Sequence, residues 1–428
     1  MRIDTFQLSY RKLSSIFYGW WLIGIATFML MLMSATVFQG IGTFFVVLER
    51  NFGWTRTTLS GAFALARAEG ALFGPLEGFL VDRLGARRMV LIGFTIMGLG
   101  FLFFSQTREI WHFYAAYVMI SFGSGVGGWI PMITMVNNWF SKRRAIAMAM
   151  AVSGVQFGGF LVPVMALGIE SSGFRMTTFG IGVCLLAVVY PVSRLIRNRP
   201  EEHGLTPDGL AMPVTGTSPR PDSSPEDTET AGNDMTPHQA LKTVAFWAIV
   251  IARTTSVVSI VSMAVHLVPK LTDTGMSLVT ANLVVMTYTT LAIPSGLLAG
   301  IIADRTSTTG VLFMCLLLQA VSVAVLAVSD SLGLALVFAV MYGIGFGGRV
   351  PLLTAIIGDY FGRRHFGTIL GVNMIPSNVA MIVAPLFAGY MFDINQSYFV
   401  PFVAFSVLGF LGTFAILFAK RPTYFVQS

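Results

Sequence analysis

Charge is scarce in this chain. Asp, Glu, Lys and Arg make up 11% of its 428 residues, less than half of the roughly 25% found in water-soluble domains. Acids are the scarcer sign, at 20 against 27 basic residues. There are only two cysteines, Cys184 and Cys315, both inside apolar runs. That excludes a disulfide framework, and no spacing of Cys, His or acids suggests a metal cluster. No nucleophile–base pair and no appended soluble domain point to an enzyme, and no cofactor or metal is expected. A cleavable signal is also missing, because the first apolar run is too long and lacks a small-residue cleavage site.

What fills the chain is apolar. Such residues make up 55%, and mean hydropathy is +0.75. Runs long enough for the ~20 residues that cross a hydrocarbon core recur along the whole length. They predict spans at 17–47, 57–81, 89–106, 111–139, 145–169 and 176–196, then at 244–269, 277–303, 309–328, 332–360, 366–391 and 398–419. The runs are continuous rather than alternating, so they read as helices and not as barrel strands. The expected fold is therefore an all-α polytopic membrane protein with twelve transmembrane helices in two pseudo-symmetric six-helix halves.

The halves are 1–197 and 242–428. Between them, 198–241 is rich in Pro, Ser, Thr and acids and reads as a flexible cytoplasmic linker. Each half repeats the other. GSGVGGWIPMIT at 123–134 matches GIGFGGRVPLLT at 343–354, and WFSKRRA at 139–145 matches YFGRRHF at 360–366. Such repeats are a sequence signature of secondary transporters, whose site lies between repeats near the midplane.

Lys and Arg set the orientation. Placing the N-terminus in the cytoplasm puts nineteen of them in inner segments, five in outer segments (Arg50, Arg56, Arg108, Arg175 and Lys270) and three within spans. The asymmetry predicts cytoplasmic N- and C-termini. The net charge of +7 is then a topology signal in contact with lipid headgroups, not a nucleic-acid footprint. A monomer is expected.

The loop after the second span reads Gly78-Phe-Leu-Val-Asp82-Arg83-Leu-Gly85-Ala-Arg87-Arg88, with a reduced copy at Gly300, Asp304 and Arg305. It resembles the G-x-x-x-D-R-x-G-x-R-R loop of the major facilitator superfamily. The segments FYGWW at 17–21, FGWTR at 52–56, HLVPKLTD at 266–273 and YFGRRHFG at 360–367 resemble the bacterial monocarboxylate-transporter-like branch and the related oxalate/formate antiporters. The resemblance covers nearly everything outside the linker. It implies a carrier of small carboxylates in the cytoplasmic (inner) membrane, working by alternating access with proton symport or anion exchange, with the motif loop as a gating element. Two departures stand out. Phe17 and Tyr18 occupy the place of the family's acid before Gly-Trp, and the region of Gly296 has neither the acid nor the arginine of the family's eighth span.

A charge near the bilayer centre costs at least ~2.5 kcal/mol, so each one marks a functional site by default. Arg253 and Arg349 fall about 15 and 18 Å from the cytoplasmic ends of their spans, and Arg67 about 22 Å from Asp82, at helical rise. Arg349 stands where the first half has Trp129. An arginine fork suits a carboxylate, and an aromatic face suits the planar or apolar remainder. Gln39, Gln156, Asn373 and Asn378 are mid-span hydrogen-bonding candidates, and Tyr342 lies two turns from Arg349 on one face. The substrate site is expected among these residues. Glu69 is the one acid far from both span ends, and it reads either as a proton-coupling group or as the structural partner of another arginine. Two rivals remain: an efflux carrier for an amphipathic compound, and a non-transporting membrane sensor.

Overall fold

A computed structural model of the protein describes residues 17–140, 144–206, 235–362 and 366–421, and the described residues are almost entirely helical. The basic turns around Lys142, Arg143, Arg363 and Arg364 and most of the predicted linker lie outside that set.

The first predicted span is not one regular helix. It comprises α1 (Tyr18–Met33), a π-helical turn over Ser34–Gln39, and α2 (Ile41–Phe52). Next come α3 (Arg56–Leu84) and α4 (Ala86–Ser105). The fourth span is α5 (Ile110–Ser124), a second π-helical turn over Gly125–Trp129, and α6 (Ile130–Trp139). After α7 (Arg144–Phe157), α8 (Leu161–Leu195) runs through Gly173, whose φ of 81° and ψ of 164° break it into two spans. The second half contributes a short α9 (Pro237–Leu241), then α10 (Val244–Asp273), α11 (Leu278–Arg305), α12 (Thr308–Ala327), α13 (Leu332–Phe361), α14 (Phe366–Asn395) and α15 (Phe399–Ala415).

Among the described residues, ten segments are long and apolar enough to cross a membrane. One of them, 146–195, holds two spans because of the Gly173 break. The 29-residue α3 is also long enough to span, although it carries arginines and acids. The twelve predicted spans are accounted for among the described residues.

At the two ends of the 198–241 stretch, the described residues 198–206 and 235–241 carry local structure, a 3-10 turn over Glu201–His203 and the short α9. Thr236 and Gln239 close a reciprocal capping box on α9. Met235 is buried, and its N–H donates to the Phe361 carbonyl at 3.0 Å. Composition hid these anchors because each depends on one or two residues.

Two compact units emerge from the packing. Of the described residues, the first comprises 17–37, 72–140, 144–158 and 175–206, and the second 38–71, 159–174, 235–362 and 366–421. In the first unit α4 packs along α5 and the π turn, and α1 packs along α7. In the second, α13 lies between α11 and α12, and α10 lies against α14 and α15. The glycines kept by the repeat act here. A Cβ on Gly127 would stand 2.9 Å from Gly93 Cα, and one on Gly347 would stand 2.8 Å from Ala292 Cα. The conserved pattern of the repeat is thus a helix-crossing device in both halves, as small residues are in membrane bundles.

Candidate functional site

Arg253 and Arg349 are carried by α10 and α13, each 7% exposed. One Nη of Arg253 donates to the Leu353 carbonyl at 3.0 Å. Leu353 lies one helical turn beyond Arg349, and Arg349 lies within charge–charge reach of Arg253 and beside Tyr342. The Nε of each arginine has no hydrogen-bond partner among the described residues. No carboxylate among them forms an ion pair with either guanidinium. Two like charges therefore sit close together in a low-dielectric bundle, where buried charges are ordinarily paired.

Asn373 adds to this arrangement. It is fully buried on α14, and neither amide atom has a partner among the described residues. One turn along, Ser377 shares a 3.4 Å hydrogen bond with Thr254, the neighbour of Arg253. The helices carrying Arg253, Arg349 and Asn373 are thus tied together at one level. Guanidinium groups without an acid partner and an amide offering both donor and acceptor have the chemistry to hold an anion with hydrogen-bonding groups.

An aromatic row runs from Arg349 along α13. Tyr342 stacks with Phe338 and Phe346, at centroid distances of 5.1 and 5.9 Å, and meets Tyr288 of α11 edge-on at 5.3 Å. The Tyr288 hydroxyl donates to Gln39 Oε1 at 2.8 Å. Gln319 of α12 accepts from the Ser256 hydroxyl behind the row. Of the sequence-predicted residues, Gln39, Tyr342, Asn373, Arg253 and Arg349 therefore fall within one unit and on connected partners. Asn378 is exposed on the other side of α14. Trp129, 45% exposed, and half-buried Gln156 belong to the first unit. Arg67 lies over the rings of Phe38 and Phe63, at 4.3 and 4.9 Å. Glu69, two residues on, is half-buried.

The motif loop is held on one side. Gly85 has φ of +78°, and its missing side chain leaves room for the Asn198 amide, 2.6 Å from where a Cβ would stand. Asn198 Oδ1 accepts from the Arg87 N–H at 3.0 Å, and its carbonyl accepts from Asn138 at 3.4 Å. Arg83, Arg87 and Arg88 are exposed, as is Arg305 in the second copy. Gly300 faces open space. The side chains of Gly78, Asp82 and Asp304 lie outside the described residues.

One cluster escaped sequence reasoning. Arg56 is 4% exposed at the start of α3. Its two Nη atoms grip the Asp273 carboxylate at 2.6 and 2.7 Å, and its Nε donates to Glu49 at 3.0 Å. Asp393 accepts the backbone N–H groups of Arg56 and Thr57 at 3.1 and 2.9 Å, an anion at a helix N-terminus. The guanidinium lies 3.7 Å over the Phe392 ring. Gly389 lets α14 come close, since a Cβ there would meet the Arg56 carbonyl at 2.8 Å. The sequence signals were the family-like segments FGWTR at 52–56 and HLVPKLTD at 266–273, which hold Arg56 and Asp273 but do not show that the two meet.

Comparison with known proteins fits the fold. The family model described as Major Facilitator Superfamily matches residues 23–271 and 243–426. Monocarboxylate transporter 13 of Rattus norvegicus is 25% identical over 390 residues, covering 90% of this chain and 85% of that protein. Monocarboxylate transporter 12 of Mus musculus is 23% identical over 431 residues, covering 96% and 86%. An MFS-type transporter of Bacillus subtilis (strain 168), YcxA, is 22% identical over 387 residues, covering 88% and 90%. A bacterial homologue of the human lysosomal transporter Spinster, solved inward-facing and unoccupied, superposes with a TM-score of 0.71 at 14% identity, covering 94% of this chain and 97% of that one. With the family model matching nearly its whole length, the chain belongs to the Major Facilitator Superfamily, as a multi-pass membrane transporter similar to the monocarboxylate transporters and not an enzyme.

Proposed function

We propose that this transporter moves a small organic anion, a mono- or dicarboxylate, across the cytoplasmic membrane by alternating access. The observation that carries the reading is the buried guanidinium pair of Arg253 and Arg349, which has no acid partner among the described residues, with the unpartnered amide of Asn373 on a helix packed against that of Arg253. An anion between the arginines offsets their repulsion and relieves the cost of two buried charges. Gln39, Gln156, Trp129, Tyr342 and Asn378 are assigned to the walls of the path. The likeness to proteins named as monocarboxylate transporters supports a carboxylate over other anions.

In this reading the halves 1–197 and 242–428 rock about the site, with Asp82, Arg83 and their loop as the inner gate, and both termini lie in the cytoplasm. The drive is a proton or a counter-anion, with Glu69 as an acid within a span to test by Glu69→Gln. The experiment is uptake of radiolabelled lactate, succinate and oxalate by proteoliposomes, wild type against Arg253→Ala and Arg349→Ala. Loss of uptake in both variants, with membrane insertion intact, is expected. Wild-type flux of any of these anions through both variants would sink the assignment.

A further inference from the structure

The described acids of the second unit are engaged away from Arg253 and Arg349. Glu49 and Asp273 hold Arg56, Asp393 caps the start of α3, and Asp330 pairs with Lys270. Asp359 lies almost three turns beyond Arg349 on α13, about 15 Å at helical rise. The groups acting on the Arg349 charge are Tyr342 and Arg253, and neither is an acid. Two positive charges, each 7% exposed, thus share one place in the bundle with no negative charge of the protein to offset them. Beside them, on the helix packed against that of Arg253, the fully buried Asn373 keeps both amide atoms without a partner among the described residues.

We propose, resting on the assignment of Arg253 and Arg349 as the anion site, that the ligand is a dianion bearing a hydroxyl group, a hydroxy-dicarboxylate. A single carboxylate neutralises one guanidinium and leaves the other buried and uncompensated, which is the costly arrangement of buried charge. A dicarboxylate neutralises both, and each of its ends presents two oxygens to a planar fork. The arginines stand on different helices, α10 and α13, which suits charges separated along a carbon chain.

Asn373 sets the remaining group. A carboxylate oxygen only accepts, so it would satisfy the amide NH2 and leave Oδ1 facing a negative charge. A hydroxyl donates to Oδ1 and accepts from Nδ2, which satisfies both atoms. Ser377, one turn along α14, meets Thr254 next to Arg253. That contact turns the face of α14 carrying Asn373 toward α10. A diacid without the hydroxyl leaves the buried amide unpaired, and a site built to hydrogen-bond a hydroxyl discriminates against such an analogue.

Isothermal titration of the purified full chain at about pH 7.5 tests this with matched ligands at chain lengths of three, four and five carbons. Each length has a 2-hydroxy diacid, the plain diacid and the 2-hydroxy monoacid; for four carbons these are 2-hydroxysuccinate, succinate and 2-hydroxybutyrate. At the best-binding length, the hydroxy diacid is expected to bind about fiftyfold or more tighter than the hydroxy monoacid, which leaves one buried charge uncompensated. It is expected to bind about fivefold or more tighter than the plain diacid. Arg253→Gln and Arg349→Gln should each shrink the first ratio to about threefold or less. Asn373→Leu should bring the second ratio to about one and leave the first. The wild-type ratios need no variant, so a variant that fails to fold leaves the test complete. A wild type that binds the hydroxy monoacid as tightly as the hydroxy diacid overturns the proposal, and if both arginine variants weaken that monoacid the anion site still stands. Equal binding of the plain and hydroxy diacids overturns the assignment of the hydroxyl. Inorganic phosphate, with its charges on one group, is the control, and tighter binding of phosphate than of every hydroxy diacid overturns the proposal. Binding that neither arginine variant changes, or no binding of any probe, overturns the anion site and the proposal with it.

Discussion

Arg253 donates to the carbonyl of Leu353 at 3.0 Å, and that single bond sets its charge beside Arg349 on the neighbouring helix. A structural role for Arg349 would require a partner, and among the described residues no carboxylate pairs with it. Replacing even a buried ion pair by apolar side chains of similar volume is often neutral or stabilising by about 1–4 kcal/mol, and a buried charge with no acid partner has no attraction to lose. Arg349→Met is therefore expected to raise the unfolding temperature of the anion-free protein while abolishing anion uptake. A structural arginine predicts the opposite sign on stability, so a thermal melt beside a flux assay separates the two roles.

Asn373 invites the same comparison on a neutral group. Leaving a buried amide without hydrogen bonds costs about 1–3 kcal/mol, and this one has neither bond among the described residues. Asn373→Leu keeps the volume and removes the polar atoms. The expected outcome is a protein at least as stable as the wild type with a weakened half-saturation for its anion, read by melting and by initial rates at graded anion concentrations.

The Arg56 cluster should respond in the other direction. Its guanidinium is 5% exposed, whereas Asp273 and Glu49 keep about a third of their exposure to solvent. Arg56→Ala leaves three carboxylates facing one another around an empty space. A fully buried pair loses about 3–5 kcal/mol on such a change, and the partial exposure of the acids reduces this to roughly 2 kcal/mol. Arg56→Lys keeps the charge but loses the two-point grip on Asp273, so it should fall between Ala and wild type in a denaturation series.

Which of these features the chain reveals beforehand follows from how local each signal is. Arg253 and Arg349 stand out because a charge inside an apolar run is visible without knowing its neighbours. The Gly173 break is visible as well, since the predicted spans 145–169 and 176–196 end on either side of it. Arg56 looked like an ordinary outer-loop charge, because its partners Asp273 and Asp393 are 217 and 337 residues away. His266 is visible only as part of a family-like string, and its partners Tyr398 and Pro385 are 132 and 119 residues on. The π turns over Ser34–Gln39 and Gly125–Trp129 carry no sequence mark. The corresponding stretch of the second half, within α13, stays α-helical although its glycines are the same.

Gly85 gives the sharpest test of the motif loop, because two separate costs meet there. Its φ of +78° is strained for any side chain, and a Cβ would also run into the Asn198 amide. With ψ at 155° the residue lies in an extended positive-φ region that is essentially reserved for glycine, at a cost of about 1–3 kcal/mol for an L-residue, and the steric part depends on whether Asn198 can withdraw. Gly85→Ala should therefore destabilise the protein by more than the conformational cost alone. Adding Asn198→Ala removes the clash and also the acceptor for the Arg87 N–H. The double variant should recover part of the loss but not the part set by φ. A double-mutant cycle on unfolding free energies measures both, and a Gly85→Ala variant as stable as wild type would show that the loop does not need the positive-φ turn.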